Sequence, residues 1–151
     1  MKDQSIRIRT ARTNNYHACL PLFMSLYHGD IGHGFEQTFE AFVKSKDGVV
    51  LLAEHSSKIV GVLMGSYHLD IDWEGWIAKI DALTVDEAFR QTGIGKKLVR
   101  YFIDEAKKKG CKAVVSRVNR RNMVAQVLHK NLGFIRANTD EFILDLQEHT
   151  I

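Results

Sequence analysis

The chain has 151 residues, of which 45% are hydrophobic and 26% charged, with a formal net charge of +3. That is the size and balance of one globular domain, long enough to bury roughly 70% of its unfolded surface. No apolar run approaches the length a bilayer requires, and residues 1–7 lack the apolar core of a signal peptide, so a cytoplasmic protein without membrane partners is expected. Cys19 and Cys111 stand far apart with no metal-ligand spacing and read as free thiols. The charge is lopsided: residues 90–136 carry thirteen Lys or Arg against Asp104 and Glu105, whereas residues 21–89 carry four Lys and eleven acids. A basic half suits a phosphorylated ligand, and an acidic half steers a cationic one. Lys107, Lys108 and Lys109 complementing a helix C-terminus would account for only three of the thirteen.

In chain order, residues 6–9 read as a first strand. Asn14 or Asn15 stands where a helix cap belongs, ahead of Ala18, Leu22 and Leu26 at helical spacing. The glycine-rich break at 28–34 leads into a short helix near 35–43. Residues 49–54 and 59–68 read as strands around the turn Ser56-Ser57-Lys58. A further strand is expected at 77–85, behind the acidic segment Asp70, Ile71, Asp72, Trp73 and Glu74. Ile94, Leu98, Phe102 and Ala106 recur every four residues and predict a helix that Gly110 stops. Residues 113–118 read as a strand, 122–132 as a helix with Ala125, Leu128 and Leu132 on one face, and 142–146 as a closing strand. No repeat or linker interrupts the series, so a single domain over 1–151 is expected. The order β-α-α-β-β-β-α-β-α-β describes an α/β protein with a mixed sheet flanked by helices, including parallel neighbours where helices connect strands.

Chemistry concentrates where Leu83-Thr84-Val85 run towards Arg90-Gln91-Thr92-Gly93-Ile94-Gly95-Lys96-Lys97. Glycines at a strand-to-helix junction let main-chain N–H groups approach an anion, and the helix N-terminus adds partial positive charge. A Walker loop is excluded, because Arg90 stands where its first Gly belongs and Lys97 where Ser or Thr belongs. A dinucleotide fingerprint fails at Leu98, where a third Gly or Ala is required. The pattern that fits is Gln/Arg-x-x-Gly-x-Gly/Ala, as Arg90-x-x-Gly93-x-Gly95. It resembles the pyrophosphate loop of the GNAT N-acetyltransferase superfamily, whose members bind acetyl-coenzyme A.

The resemblance covers most of the chain and is strongest over residues 79–134. There the strand ending in Leu83-Thr84-Val85, the loop, the long helix, the next strand, Asn122 and Leu128-His129-Lys130-Asn131-Leu132-Gly133-Phe134 follow in family order. It implies the GNAT fold and an acetyl-CoA co-substrate, with no metal. It also implies that the strand ending at Val85 splays from its parallel neighbour and pairs with the pantetheine arm like an added strand. Amides from Gln91 to Lys96 would hold the pyrophosphate, and Asn122 would touch the arm near the thioester. Asn122 also reads as a simple helix cap, and the two roles are compatible. A homodimer is consistent with the resemblance.

The family's usual acid is a Tyr that protonates the departing thiolate; here His129 holds that position, seven residues after Asn122 and on the same helix face. Histidine titrates far below tyrosine, so the acid step departs from the family's pattern, with His129 either acid or scaffold. Asp81, inside the apolar run at 77–83, is the candidate base, since burial would raise its carboxyl towards a useful range. Pairing with Lys79 on the same strand face is the alternative. Arg117 stands where the branch that acetylates ribosomal protein N-termini commonly has a Glu. His28, His33 and Asp30 lack a second ligand pair and do not make a metal site. Asp30 and the hairpin residues Asp70, Asp72, Trp73 and Glu74 are the candidate acceptor contacts, acids with an indole that can hold a cation. The sequence thus reads as an N-acetyltransferase for a primary amine on a small cationic molecule. The alternatives are a protein Lys or N-terminal acetyltransferase and a non-catalytic acyl-CoA sensor. Nucleic-acid binding has no recognisable module, and its basic residues fall in the cofactor elements instead.

Overall fold

Strand alternation over 48–70 closes into a long hairpin because Ser56 and Ser57 both adopt positive φ, 48° and 66°, the geometry that a tight two-residue turn demands. The computed structural model describes residues 5–147 and divides into two compact units, at Asn119 and Arg120. In the first unit five strands lie in the order β1-β2-β3-β4-β5: β1 (Arg7–Thr10), β2 (Gly48–His55), β3 (Lys58–Asp70), β4 (Gly75–Val85) and β5 (Val114–Ser116). The first four pair antiparallel with their neighbours, and β5 joins β4 in parallel after the crossover through α3 (Ile94–Lys108). A 3-10 turn, Thr13–Asn15, leads into α1 (Tyr16–Leu26), which is followed by α2 (Phe35–Lys44).

The helices cover the two faces of the sheet by strand parity. Tyr16, Cys19, Leu22, Phe23 and Phe39 of α1 and α2 pack with Val50, Leu52, Val62, Met64 and Ala82. The Phe23, Phe35 and Phe39 rings meet there at centroid separations of 4.9 and 6.0 Å. On the other face α3 buries Ile94, Leu98, Val99, Phe102 and Ala106. It lies close because β3 presents glycines to it. A Cβ on Gly65 would stand 2.5 Å from the Phe102 ring, and one on Gly61 would stand 3.1 Å from Ile94 and Leu98. Gly110, at φ 79°, ends the helix as expected. The second unit contains α4 (Met123–Asn131), capped by Asn122 Oδ1, which accepts from the Ala125 N–H at 3.0 Å.

Three expectations are corrected. The strand expected at 113–118 is confined to Val114–Ser116, so its pairing with β4 is short. The closing strand expected at 142–146 is absent among the described residues, and Phe142, Ile143, Leu144 and Leu146 are 79–93% exposed. An apolar run signals a segment able to pair, but a strand exists only through its ladder, and no ladder forms here. Asn15 occupies the position before α1 without capping it; its Oδ1 instead accepts from the Arg12 N–H at 2.8 Å and from Arg9 at 3.2 Å.

Candidate active site

The site is organised by an irregularity in β4. Its register with β3 runs Met64↔Ala82 and then Gly65↔Ile80, which leaves Asp81 as the extra residue of a β-bulge. A bulge re-aims a side chain. Thr84 and Ala82 face α1, and regular alternation would turn Asp81 to the α3 face. The bulge returns its carboxylate to the α1–α2 face, beside Lys79 and Ser66. Asp81 Oδ2 accepts from Ser66 Oγ at 2.6 Å, and Lys79 Nζ lies 3.6 Å from Asp81 Oδ1. Lys79, the partner expected from the sequence, and Ser66, which was not expected, therefore act on one carboxylate. The expectation that Asp81 is sealed in an apolar run is corrected: its side chain is 22% exposed and its main chain lies open.

The open main chain has a definite cause. The β4–β5 ladder pairs Ala78, Lys79 and Ile80 with Val114, Val115 and Ser116 and then stops. From Asp81 to Val85 the strand keeps its β3 partners, Leu83 with Leu63, Thr84 with Val62 and Val85 with Gly61, while its other edge has no ladder partner among the described residues. Thr84 is buried, and its Oγ1 donates to the Leu22 carbonyl at 3.4 Å, tying α1 to this strand.

The loop beyond Val85 is ordered by its own hydrogen bonds. Asp86 Oδ1 accepts from the Ala88 N–H at 3.0 Å, and Lys58 stands 3.4 Å from the same carboxylate. The Ala88 bond, aided by Lys58, holds the Asp86 carboxyl below its ordinary range. Thr92 Oγ1 donates to the Phe89 carbonyl, and Arg90 Nε reaches the Val85 carbonyl at 3.4 Å. Gln91 and Gly93 take positive φ, 64° and 85°, and turn the chain into α3. At Gly93 a Cβ would meet nothing within 4 Å, so glycine is required there by conformation, not by packing within the protein. The first intrahelical bond runs from the Lys97 N–H to the Gly93 carbonyl at 3.0 Å. The amides of Ile94, Gly95 and Lys96 therefore point out of the helix end, flanked by Lys96 and Lys97. Amides without intrahelical partners, a partial positive charge, open space and two lysines fit a pyrophosphate.

The remaining candidates lie elsewhere. Asp70, Asp72, Trp73 and Glu74 form the β3–β4 turn, where Asp70 Oδ1 accepts from the Trp73 N–H at 3.1 Å and Glu74 has φ 55°. Six residues of β4 separate that turn from Asp81, about 20 Å of strand. Asp30 lies exposed in the α1–α2 connection. In the second unit, His129 Nδ1 lies 2.7 Å from the Ala125 carbonyl, which can only accept, so Nδ1 carries a proton. That bond and an edge contact with Phe134, at 5.0 Å between centroids, fix the ring. No group of three or more His, Cys, Asp or Glu able to hold a metal occurs among the described residues, and no helix there is long and apolar enough to cross a membrane.

Sequence reading missed Ser66, His68 and Tyr27. Ser66 Oγ also lies 2.8 Å from His68 Nε2. It opens on a cleft of about 450 Å³ between α2 and the paired strands β2 and β3 at Gly48 and Ser66, lined further by Gln37, Thr38, Phe42, Ser45 and Asp47. The Tyr27 phenol, at the end of α1, is pushed up by burial and then by the Asp81 charge. Ser66 alone carries a sequence signal, as a polar residue inside the apolar run at 59–67, the counterpart of Asp81 in the adjacent strand.

A mixed sheet with one strand open beyond a bulge, followed by a helix N-terminus without a side-chain cap, defines the acyl-CoA N-acyltransferase architecture. The model of the acetyltransferase (GNAT) family matches residues 16–134, and the chain belongs to that family. It is an acetyl-CoA-dependent N-acetyltransferase. Similar solved structures include an aminoglycoside acetyltransferase from an uncultured soil metagenomic sample, in complex with trehalose. That protein is 20% identical with a TM-score of 0.83, covering 97% of this chain and 100% of the other. The aminoglycoside N-acetyltransferase AAC(6')-Iy in complex with CoA is 19% identical with a TM-score of 0.84, covering 95% and 96%. The ribosomal-protein-alanine N-acetyltransferase of Brucella melitensis biovar Abortus 2308 is 17% identical with a TM-score of 0.78, covering 95% and 100%. At these identities the likeness is one of fold.

Proposed function

We propose that this chain transfers the acetyl group of acetyl-CoA to a primary amine of a small, cationic molecule by direct attack. The observation that carries the reading is the cleft of about 450 Å³ that opens on Ser66, whose hydroxyl holds the Asp81 carboxylate. It gives a small acceptor a seat that combines apolar wall with Gln37, Thr38, Ser45 and Asp47, one hydrogen bond away from the Asp81 carboxylate through Ser66. An ammonium has no lone pair, so attack on a thioester requires that proton to leave, and Asp81 is the proposed base. The open edge of Leu83, Thr84 and Val85 would pair with the pantetheine arm. Arg90, Gln91, Thr92, Gly93, Ile94, Gly95, Lys96 and Lys97 would hold the pyrophosphate. Asn122 would reach the arm, and His129 would give its Nε2 proton to the departing thiolate as an imidazolium. We further propose that both units serve one acetyltransferase domain over 1–151, supported by the family match that spans their boundary.

The acidic half of the chain supports a cationic acceptor, with Asp70, Asp72, Trp73, Glu74 and Asp30 attracting it at long range and not contacting the reacting amine. Transfer to a protein amine is the second reading, favoured by the likeness to the ribosomal-protein-alanine enzyme. Arg117, directly after β5, counts against it. The test is thiol release from acetyl-CoA with spermidine, sisomicin, a neutral aliphatic amide and a peptide with a free N-terminal Ala. Turnover restricted to the two polyamines supports the proposal. Preference for the peptide gives the second reading, and acetyl-CoA binding without thiol release from any amine gives a sensor.

A further inference from the structure

Two polar side chains at the bulge have no part in the reaction as proposed so far. Ser66 is 9% exposed, on the face of β3 that meets α1 and α2. Its one hydroxyl proton goes to Asp81 Oδ2 at 2.6 Å, so at the 2.8 Å contact with His68 it is Nε2 that donates to Ser66. His68 itself is exposed. A continuous hydrogen-bonded line therefore runs from solvent, through an imidazole and a buried hydroxyl, to the carboxylate. Ser66 and His68 share a face as alternate residues of one strand, and the bulge brings Asp81 onto that face. The line is thus a consequence of the register shift.

We propose that His68, Ser66 and Asp81 form a proton relay that carries the proton of the acceptor amine from Asp81 to solvent. The inference rests on the reading of Asp81 as the base. A carboxylic acid that keeps its proton cannot serve the next turnover. Once Asp81 has taken a proton from the attacking nitrogen, its O–H donates to Ser66 Oγ while the Ser66 proton passes to Nε2 of His68, then in its Nδ1–H tautomer. The imidazolium releases the Nδ1 proton to water, which restores the carboxylate, the hydroxyl and the Nε2–H tautomer, and the exposed ring regains the Nδ1–H tautomer by exchange with water before the next turnover. Lys79 occupies Oδ1 at 3.6 Å and leaves Oδ2 to Ser66. Among the described residues, the ionisable groups near the relay include Tyr27 at the end of α1 and Asp47, which lines the cleft with Ser66; from α2 the uncharged Gln37 and Thr38 line it.

The test has two arms, both on the full chain. The first follows the His68 ring by NMR across pH in protein carrying nitrogen-15 histidine and needs no acceptor. Ser66→Ala should lower the share of neutral His68 that carries its proton on Nε2, the nitrogen that faces Ser66, with the ring signals of His33 unmoved. The second measures thiol release with spermidine and sisomicin. Ser66→Ala and His68→Ala should each lower kcat about tenfold or more, a modest share of what proton transfer contributes, with the KM for acetyl-CoA unchanged. Added imidazole should restore turnover in His68→Ala and not in Ser66→Ala. A His68 tautomer balance indifferent to Ser66→Ala overturns the relay. Should Asp81→Asn be inactive while Ser66→Ala turns over like the parent, the relay alone falls. Full activity in Asp81→Asn removes the base and the relay together.

Discussion

The two halves of β4 are made from similar residues and behave differently. Up to Ile80 the strand is paired with β3, and with β5 as well over Ala78, Lys79 and Ile80, and Ile77, Ala78 and Ile80 are buried. From Asp81 to Val85 one edge lies open, although Ala82 and Thr84 are as buried as their counterparts. Side-chain burial therefore does not separate the two. What separates them is where the parallel ladder stops, one residue before the bulge. The first half holds the sheet together, and the second offers main-chain donors and acceptors that the fold does not consume, next to a re-aimed carboxylate. Stability and function are thus assigned to adjoining segments of one strand, and substitutions should divide in the same way.

The largest effect is expected on stability, where β3 backs the closed half. Gly65→Val would drive a branched side chain into Phe102, where even a Cβ would stand 2.5 Å from the ring. Overpacking of this kind costs about 3 kcal/mol. Chemical denaturation should show the loss, and an unchanged midpoint would mean that α3 does not lie where its packing requires. Next comes the bulge. Asp81→Asn keeps the size of the side chain and its hydrogen bond from Ser66 but cannot take a proton, so kcat should fall about 10²-fold with the fold intact. Circular dichroism beside the turnover assay separates chemistry from misfolding.

A smaller effect is expected at the loop. Gly93→Val forces a branched residue into φ 85° and fills space that lies open. Affinity for acetyl-CoA should weaken about tenfold or more, roughly 1.4 kcal/mol, while thermal stability changes less than in Gly65→Val. An affinity within threefold of the parent would refute the loop assignment. The smallest effect belongs to the distant turn. Neutralising Asp70, Asp72 and Glu74 together should raise the acceptor KM a few-fold at low salt and not at high salt, because steering is screened. The affinity for acetyl-CoA should stay the same, and a large fall in kcat would place these acids in contact with the reacting amine.

What could be read from the sequence follows the same division. Periodicity located the long helix at Ile94 and the hairpin strands, because their burial is local and repeats. The turn ahead of α3 was legible because Gly93 answers a conformational demand, which its φ displays. Asp81 was legible as an ionisable residue in an apolar run, but its setting was not. Whether it faced α3 or α1 depended on a bulge, and a bulge is a relation between two strands that neither strand encodes alone. Ser66 and His68 escaped notice for the same reason, since their role appears only once β3 and β4 are in register. At 142–146 the error ran the other way: an apolar run able to pair finds no partner among the described residues.

The open edge is tested most directly by amide hydrogen exchange on the full chain, with and without acetyl-CoA. Added strands protect the amides they bond, and helix-end amides are protected by the anion they hold. Acetyl-CoA should slow exchange within 81–85 and at 91–96, while 78–80, already paired on both edges, stays as it was. Protection that leaves 81–85 untouched, with acetyl-CoA bound, would contradict the account.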